Sequence, residues 1–257
     1  MQNKIIVFLP LFSLLLPSLC LGHFGMIIPD QPMVTDQKKS DLRLTISFSH
    51  PFEQTGMDMD MPKGVGVLFE GKREDLKKEL KPTKVMGRNA WTLVHKIAKP
   101  GAYIFYMEPE PYFETAEDKY IVHITKLVVG AYGEDEGYDS ELKLKAEVIP
   151  IVRPFGLYAG NVFQGLVKFN GRPEPHCPVE VEYLNEGKRI GPENEFFVAQ
   201  RLKTDPNGIF TFSPPWPGWW GFAALKDSEE KIKGKDVELG AVIWVYFSDV
   251  PVKKFKK

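Results

Sequence analysis

The sequence is poor in the residues that build disulfides and catalytic centres. Its 257 residues include two cysteines, Cys20 and Cys177, and five histidines. Cys20 lies in an apolar N-terminal segment with the features of an export signal, so the exported chain would keep Cys177 alone. A single cysteine cannot form an intramolecular disulfide, and we expect none.

Other absences narrow the classes of function. The motifs G-x-S-x-G, H-E-x-x-H, G-x-x-x-x-G-K-[ST] and G-x-G-x-x-G do not occur, so we expect neither an enzyme nor an organic cofactor. The formal net charge is −1, which gives no electrostatic basis for binding nucleic acid. Beyond the N-terminal segment no apolar run approaches the roughly 20 residues of a membrane span, and we predict no transmembrane segment after processing.

The N-terminus has the parts of a secretory signal peptide. Lys4 supplies the positive charge, residues 5–16 are apolar, and Cys20 and Gly22 are small residues just before a cut after Gly22. We therefore predict that 1–22 is a signal peptide. The mature protein is then periplasmic and begins at His23.

A cut after Gly22 would give His23 two nitrogen donors on one residue. The α-amine, with a pKa of roughly 7.7–8.0, and the imidazole can close a chelate ring on a Ni, Co or Cu ion. A signal peptide must also end somewhere, so chance alone could explain the position of one histidine. Its significance depends on the other ligands that the fold brings to it.

Period-two alternation dominates the rest of the chain. Segments 42–48, 120–124 and 142–148 alternate apolar and polar side chains, and turns such as 205–208 contain Gly or Pro. Helical periodicity is almost absent, apart from a short helix predicted over 74–80. The pattern predicts an all-β fold of two β-sandwich domains, immunoglobulin-like or prealbumin-like, after the signal peptide.

The predicted domain boundary lies where a strand ends in a proline. We expect an N-terminal metal-binding sandwich over 23–148 and a C-terminal sandwich over 149–257. The second half carries an N-G-R-P turn at 170–173 and the sequence T-D-P-N-G-I-F-T-F at 204–212. With these motifs it resembles the prealbumin-like or carboxypeptidase-regulatory-like sandwich, which implies a fold and no particular chemistry.

A methionine-rich segment offers candidate metal ligands. His50 stands near its start, and Met57, Met59 and Met61 share one face if the chain is extended there. Imidazole suits Ni, Co, Cu and Zn, whereas thioethers are soft ligands. We take His50 and Met57 as candidates, and a methionine-packed edge with solvated aspartates is the structural alternative.

The remaining histidines differ in quality as ligands. His123 follows the acidic stretch 108–118, which could supply a carboxylate to orient a ligating imidazole, although a hydrogen-bonded core histidine is the alternative. His95 lies on an apolar strand face and is expected to be structural. His176 is a rival ligand because the adjacent Cys177 could offer a thiolate, but flanking prolines predict a turn there.

Four motifs carry a resemblance that spans nearly the whole mature chain. They are 23–29 (H-F-G-M-I-I-P), 48–52 (F-S-H-P-F) with Met57 and Pro62 following, 111–123, and the tryptophan-rich 215–225. In these motifs the chain resembles exported proteins with a domain of unknown function that are described as periplasmic components of cobalt and nickel uptake systems. The resemblance implies a protein that captures Ni²⁺ or Co²⁺ for the subunits of an inner-membrane transporter.

These observations predict a periplasmic accessory protein with Ni²⁺ or Co²⁺ as bound cargo. The predicted ligands are His23, His50 and His123, with Met57 as a softer neighbour. One alternative is a copper-dependent oxidative enzyme with a histidine brace, which needs the same terminal histidine and an open metal face. Another is a structural or adhesion β-sandwich protein without metal.

Overall fold

The computed structural model describes residues 22–251, and this part of the chain is all-β, as predicted. The predicted signal peptide lies outside the described residues except for Gly22. No helix in the described range is long and apolar enough to cross a membrane. The single-turn 3-10 helices cover Gln37–Lys39, Lys77–Glu79, Glu186–Lys188 and Glu195–Phe197.

The strands are numbered in chain order. They are β1 (Phe24–Pro29), β2 (Met33–Val34), β3 (Asp41–His50), β4 (Thr55–Met57), β5 (Gly64–Phe69), β6 (Lys72–Asp75), β7 (Lys81–Val85), β8 (Arg88–Lys96), β9 (Gly101–Glu108), β10 (Tyr112–Glu114), β11 (Lys119–Ala131), β12 (Ala146–Pro150), β13 (Leu157–Tyr158), β14 (Phe163–Phe169), β15 (Arg172–Pro173), β16 (Pro178–Tyr183), β17 (Ala199–Lys203), β18 (Ile209–Phe212), β19 (Gly218–Asp227) and β20 (Val237–Ser248).

Three stacked sheets make up the described fold. The first has the order β1-β3-β8-β7 with β4 on β3, and the third has the order β12-β14-β15 with β18 on β14. The central sheet has the order β17-β16-β19-β20-β11-β9-β5-β6, with β2, β10 and β13 paired to its members. Ile121 and Leu127 of β11 belong to one core, whereas Ile124 and Val128 belong to the other. Successive side chains alternate faces, so the central sheet is one wall of a β-sandwich on each side.

A parallel pair of strands joins the N-terminal and C-terminal halves of the chain in the central sheet. Strand β11 pairs with β20, and His123 lies opposite Gly240 in that register. Parallel neighbours are joined by long connections, so the pairing brings together residues far apart in sequence. The division into 23–148 and 149–257 remains a prediction, and β12 spans its boundary.

The short helix predicted over 74–80 is wrong. Strands β5 and β6 form a hairpin in which Glu70 and Gly71 both have positive φ, the conformation of a type I′ turn. Pairing with β5 keeps the backbone extended as far as Asp75. Only the 3-10 turn Lys77–Glu79 follows.

A buried ion pair ties β11 to β12. Nζ of Lys126 lies 2.7 Å from Oε1 of Glu147, and the two side chains are 1% and 2% exposed. The backbone N–H of Leu142 donates to the same oxygen at 2.7 Å. Burial lowers the pKa of Lys126, and the Glu147 carboxylate opposes that shift. Each buried charge is therefore compensated by the other, and removal of one would leave the other unpaired in the interior.

Candidate functional site

Two of the predicted ligands come together at the edge of the first sheet. Strands β1 and β3 are antiparallel, with Phe24 opposite Ser49. One step beyond this pair, His23 faces His50, and the centroids of their rings are 4.6 Å apart with planes inclined by 51°. The strand register therefore builds a pair of imidazoles from residues that are distant in sequence.

A carboxylate holds the His23 ring. Nε2 of His23 lies 3.0 Å from Oε2 of Glu114, and the side chains are 9% and 16% exposed. The other oxygen of Glu114 accepts from the backbone N–H of Ala116 at 2.9 Å, which orients the carboxylate. Burial lowers the pKa of His23, and so does His123, while Glu114 opposes the shift.

His50 forms a hydrogen-bond contact with the peptide group that the predicted cleavage would break. Its Nδ1 lies 3.1 Å from the carbonyl oxygen of Gly22, and the residue is 9% exposed. Burial lowers the pKa of His50, and the neighbouring His23 lowers it further. Both rings are therefore neutral near pH 7, the form in which imidazole binds a metal ion.

Two buried acids of β16 border the same peptide group. Oε1 of Glu182 is buried without a hydrogen-bond partner in the described part of the chain, and a Cβ added at Gly22 would lie 2.3 Å from it. Burial raises the pKa of Glu182 well above its usual value, and it also raises that of Glu180 despite Arg201. Gly22 thus lies beside two carboxyl groups whose burial disfavours their charged form.

His123 occupies a neighbouring position that small residues make possible. It is 1% exposed, and a Cβ added at Gly240 would lie 2.4 Å from its Cδ2. A Cβ added at Gly25 of β1 would lie 2.9 Å from the carbonyl oxygen of His123, so the two sheets approach closely here. The Phe48 ring contacts both His23 and His123, at centroid distances of 5.8 Å and 5.9 Å.

The partner of His123 is Glu238 of β20. Nε2 of His123 lies 3.4 Å from Oε1 of Glu238, and Nζ of Lys119 lies 2.7 Å from Oε2. Burial disfavours the Glu238 carboxylate, but His123 and Lys119 outweigh it and lower the pKa of Glu238 to about 2. The acidic stretch 108–118 does supply an orienting carboxylate, Glu114, but it holds His23 and not His123.

The remaining candidate metal ligands lie in different surroundings. Met57 lies opposite Phe48 in the β3–β4 pair and packs against the core between the first sheet and the central sheet. Met59, by contrast, lines a cavity beside His123. His176 is exposed, whereas Cys177 is buried, and burial raises the pKa of its thiol to about 11. A thiolate beside His176 is therefore not available near pH 7.

His95 has the surroundings of a structural histidine. Its ring lies edge-on to Phe105, with centroids 5.5 Å apart, and it also contacts Tyr103. Across residues 22–251, no three His, Cys, Asp or Glu side chains converge on a point where they could hold a metal ion. A metal at the His23–His50 pair therefore needs a donor of another kind.

Glu182, Glu238 and Gly240 were missed by sequence reasoning. The strands that carry them show ordinary period-two alternation, and nothing in that alternation indicates which strand lies next to β1 or β11. The signal that could have pointed to Glu182 is the run V-E-V-E-Y at 179–183, which places two acids on the same strand face.

The family model described as a domain of unknown function (DUF4198) matches residues 20–227. No curated protein matches the sequence. Among solved structures, native alpha-2-macroglobulin from E. coli is 10% identical with a TM-score of 0.26, and the match covers 90% of this chain but 14% of that protein.

Two further similar structures are the D00–D0 domain of intimin and a tandem of titin Ig domains. The intimin match is 10% identical with a TM-score of 0.21 and covers 88% of this chain and 100% of that one. The titin match is 10% identical with a TM-score of 0.20 and covers 89% and 100%. Likenesses this weak carry no argument about function.

Proposed function

Because this chain belongs to the DUF4198 family, a family defined by a domain of unknown function, we propose its function from the site itself. It is a periplasmic protein that captures Ni²⁺ or Co²⁺ between His23 and His50 for delivery to an inner-membrane transporter. The observation that carries the proposal is the contact between the two imidazoles, whose ring centroids are 4.6 Å apart.

Cleavage after Gly22 would supply the third donor. The carbonyl oxygen that now lies 3.1 Å from Nδ1 of His50 belongs to the same peptide group as the nitrogen of His23. Removal of Gly22 turns that nitrogen into an α-amine and leaves Nδ1 of His50 without its partner. An amine and two imidazoles would then face one position, and these nitrogen donors suit Ni, Co and Cu.

The surroundings favour binding of a cation. Both rings are held neutral by burial, so no proton must be expelled from an imidazole near pH 7. Glu114 lies 3.0 Å from Nε2 of His23 and is placed to accept its proton, an arrangement that orients a ligating imidazole through its other nitrogen. His123 is the further imidazole of the proposed set, and its Nδ1 has no hydrogen-bond partner among the described residues.

The copper-enzyme alternative would use the same terminal histidine. An oxidative enzyme would need an open metal face at a surface where substrate docks, whereas a carrier needs reversible capture and a surface for its partner. With Gly22 in place, the His23 side chain and His50 are each 9% exposed. The resemblance to cobalt and nickel uptake proteins supplies the proposed partner, the transporter subunits.

Metal analysis of protein purified from the periplasm without a nickel affinity column tests this function. We expect about one equivalent of Ni or Co in the native protein and much less in His50→Ala. His95→Ala is the matched control, because it removes a half-buried imidazole on the same sheet and leaves the pair intact. Native protein that carries neither metal, even from cells grown with both, would refute the proposal.

A further inference from the structure

A cavity of about 40 Å³ lies beside His123, between the first sheet and the central sheet. One water needs about 10–15 Å³, so the space is large enough for a single ion. Phe48, Met59, Met107 and Tyr112 line it together with His123. Met59 is 7% exposed and Met107 is fully buried, so two buried methionines border the same cavity as one imidazole.

The imidazole has an unused nitrogen on the side of this cavity. Nδ1 of His123 is buried and has no hydrogen-bond partner among the residues described. Nε2 faces Glu238 on β20, and the two ring nitrogens point to opposite sides of the imidazole. Nδ1 therefore points away from β20, and Met107 of β9 and Tyr112 of β10 lie in the wall of the same cavity.

The contact with Glu238 leaves Nδ1 in the form of a ligand. When the imidazole is neutral, a carboxylate that accepts from Nε2 keeps the proton on that nitrogen and leaves the lone pair on Nδ1. Lys119 lies 2.7 Å from the same carboxylate and stabilises its charge. The lone pair is thus buried and unpaired, a costly arrangement for a stable fold unless something binds it.

We propose that this cavity is a binding site for a soft monovalent cation, Cu(I), with Nδ1 of His123 and the thioethers of Met59 and Met107 as its ligands. Thioethers select Cu(I) over harder ions, and imidazole is compatible with it. The site goes beyond Ni²⁺ or Co²⁺ capture: it shares His123 with the proposed ligand set but uses neither the α-amine nor His50.

The position of Met59 is fixed by its backbone. Its N–H donates to the carbonyl oxygen of Asn89 at 3.1 Å, and Nε1 of Trp91 donates to its carbonyl oxygen at 3.2 Å. Met107 is equally fixed, because it lies within β9 opposite Val65. Ligands held by rigid elements need little reorganisation when an ion binds.

Carboxylates surround the opening of the cavity. Asp58, Asp60 and Glu110 contribute to its lining, and the side chains of Asp58 and Glu110 are 54% and 43% exposed. These hard oxygen groups are poor ligands for Cu(I), and Asp58 and Glu110 are paired with Arg88 and Lys63. The rim therefore does not compete with the softer donors inside for the ion.

Anaerobic titration with Cu(I), in competition with a chromophoric Cu(I) chelator, tests the site, and Ag(I) serves as a redox-inert probe. The variants are Met59→Leu and Met107→Leu, because leucine conserves volume while removing the sulfur. Met61→Leu is the matched control, since Met61 is in the same segment but is 44% exposed. His50→Ala reports on the His23–His50 site.

We expect one equivalent of Cu(I) in the native protein and at least tenfold weaker binding in Met59→Leu, Met107→Leu and His123→Gln. Met61→Leu should match the native protein, and X-ray absorption at the copper edge should show sulfur and nitrogen neighbours. Unchanged affinity in both internal methionine variants would overturn the proposal. Loss of Cu(I) in His50→Ala alone would assign the ion to the other site and would also overturn it.

Discussion

His23 and His50 face each other across the β1–β3 pair, with ring centroids 4.6 Å apart, and Nδ1 of His50 contacts the carbonyl oxygen of Gly22. The imidazole pair and the predicted cleavage site are therefore one structural unit. Under the proposed function, metal binding and processing are linked through this unit, and the predictions below follow from it and from its neighbours.

Removal of the His50 imidazole should weaken Ni²⁺ binding. The variant His50→Ala keeps the α-amine and imidazole of His23 but loses the second ring. We expect Kd to rise by about tenfold to a hundredfold, which corresponds to roughly 1.4–2.8 kcal/mol. Isothermal titration checks this, with His95→Ala as the control that should bind like the native protein. A larger loss in His95→Ala than in His50→Ala would contradict the assignment.

The same two histidines make stability depend on pH. Burial lowers the pKa of His23 and His50 from 6.5, so the unfolded chain takes up protons before the folded protein does as pH falls. The free energy of unfolding of the metal-free protein should therefore decrease as pH drops below about 6.5. Urea unfolding at pH 7.5 and 5.5 measures the decrease.

Replacement of one ring isolates this contribution from that of the carboxylates. In His50→Gln the loss of stability between pH 7.5 and 5.5 should be smaller than in the native protein, because one proton acceptor is gone. His176→Gln is the matched control, since His176 is exposed. An equal pH dependence in the native protein and His50→Gln would mean that the His50 pKa is not lowered by folding.

Gly240 should be required for the position of His123. In Gly240→Ala the added Cβ would lie 2.4 Å from Cδ2 of His123, so the ring or the strand must move. Overpacking of this kind costs about 1–3 kcal/mol. Gly191→Ala is the control, because its Cβ would meet no described atom within 4 Å. Equal thermal stability of the two variants would contradict the packing of His123 against Gly240.

The buried pair Lys126–Glu147 gives a test of the central sheet. Glu147→Ala leaves the Lys126 ammonium buried without its partner, and we expect a loss of about 3–5 kcal/mol in the free energy of unfolding. The double variant Lys126→Met with Glu147→Gln removes both charges and keeps an acceptor for the N–H of Leu142. It should recover most of the loss, and a double variant as unstable as Glu147→Ala would refute the explanation.

Alternation along the sequence predicted the strands but not their neighbours. The placement of His123 on the face of Ile121 and Thr125 follows from period two, and the turn before Phe210 follows from D-P-N-G, where Asp205 accepts from two backbone N–H groups. No sequence pattern in β11 or β20 indicates that the two strands pair. Neither the contact of Glu238 with His123 nor the space over Gly240 could therefore be predicted.

The sequence likewise predicted the candidate ligands but not their contacts. His23, His50 and His123 were identifiable as imidazoles, but the contact of the first two depends on the β1–β3 register, which no local pattern determines. Met57, Met59 and Met61 would share one face of an extended segment, so alternation does not distinguish Met57 from Met59 as a candidate ligand. The loop at Met59 is instead held inward by Asn89 and Trp91, which are distant in sequence.

The most direct measurement of the central claim compares two N-termini in the same folded protein. One form begins at His23, and the other retains a single glycine before it, which blocks the α-amine and restores the carbonyl group beside His50. Isothermal titration with Ni²⁺ at pH 7.5 should give a Kd about tenfold to a hundredfold lower for the form that begins at His23. Equal affinity in the two forms would contradict the claim.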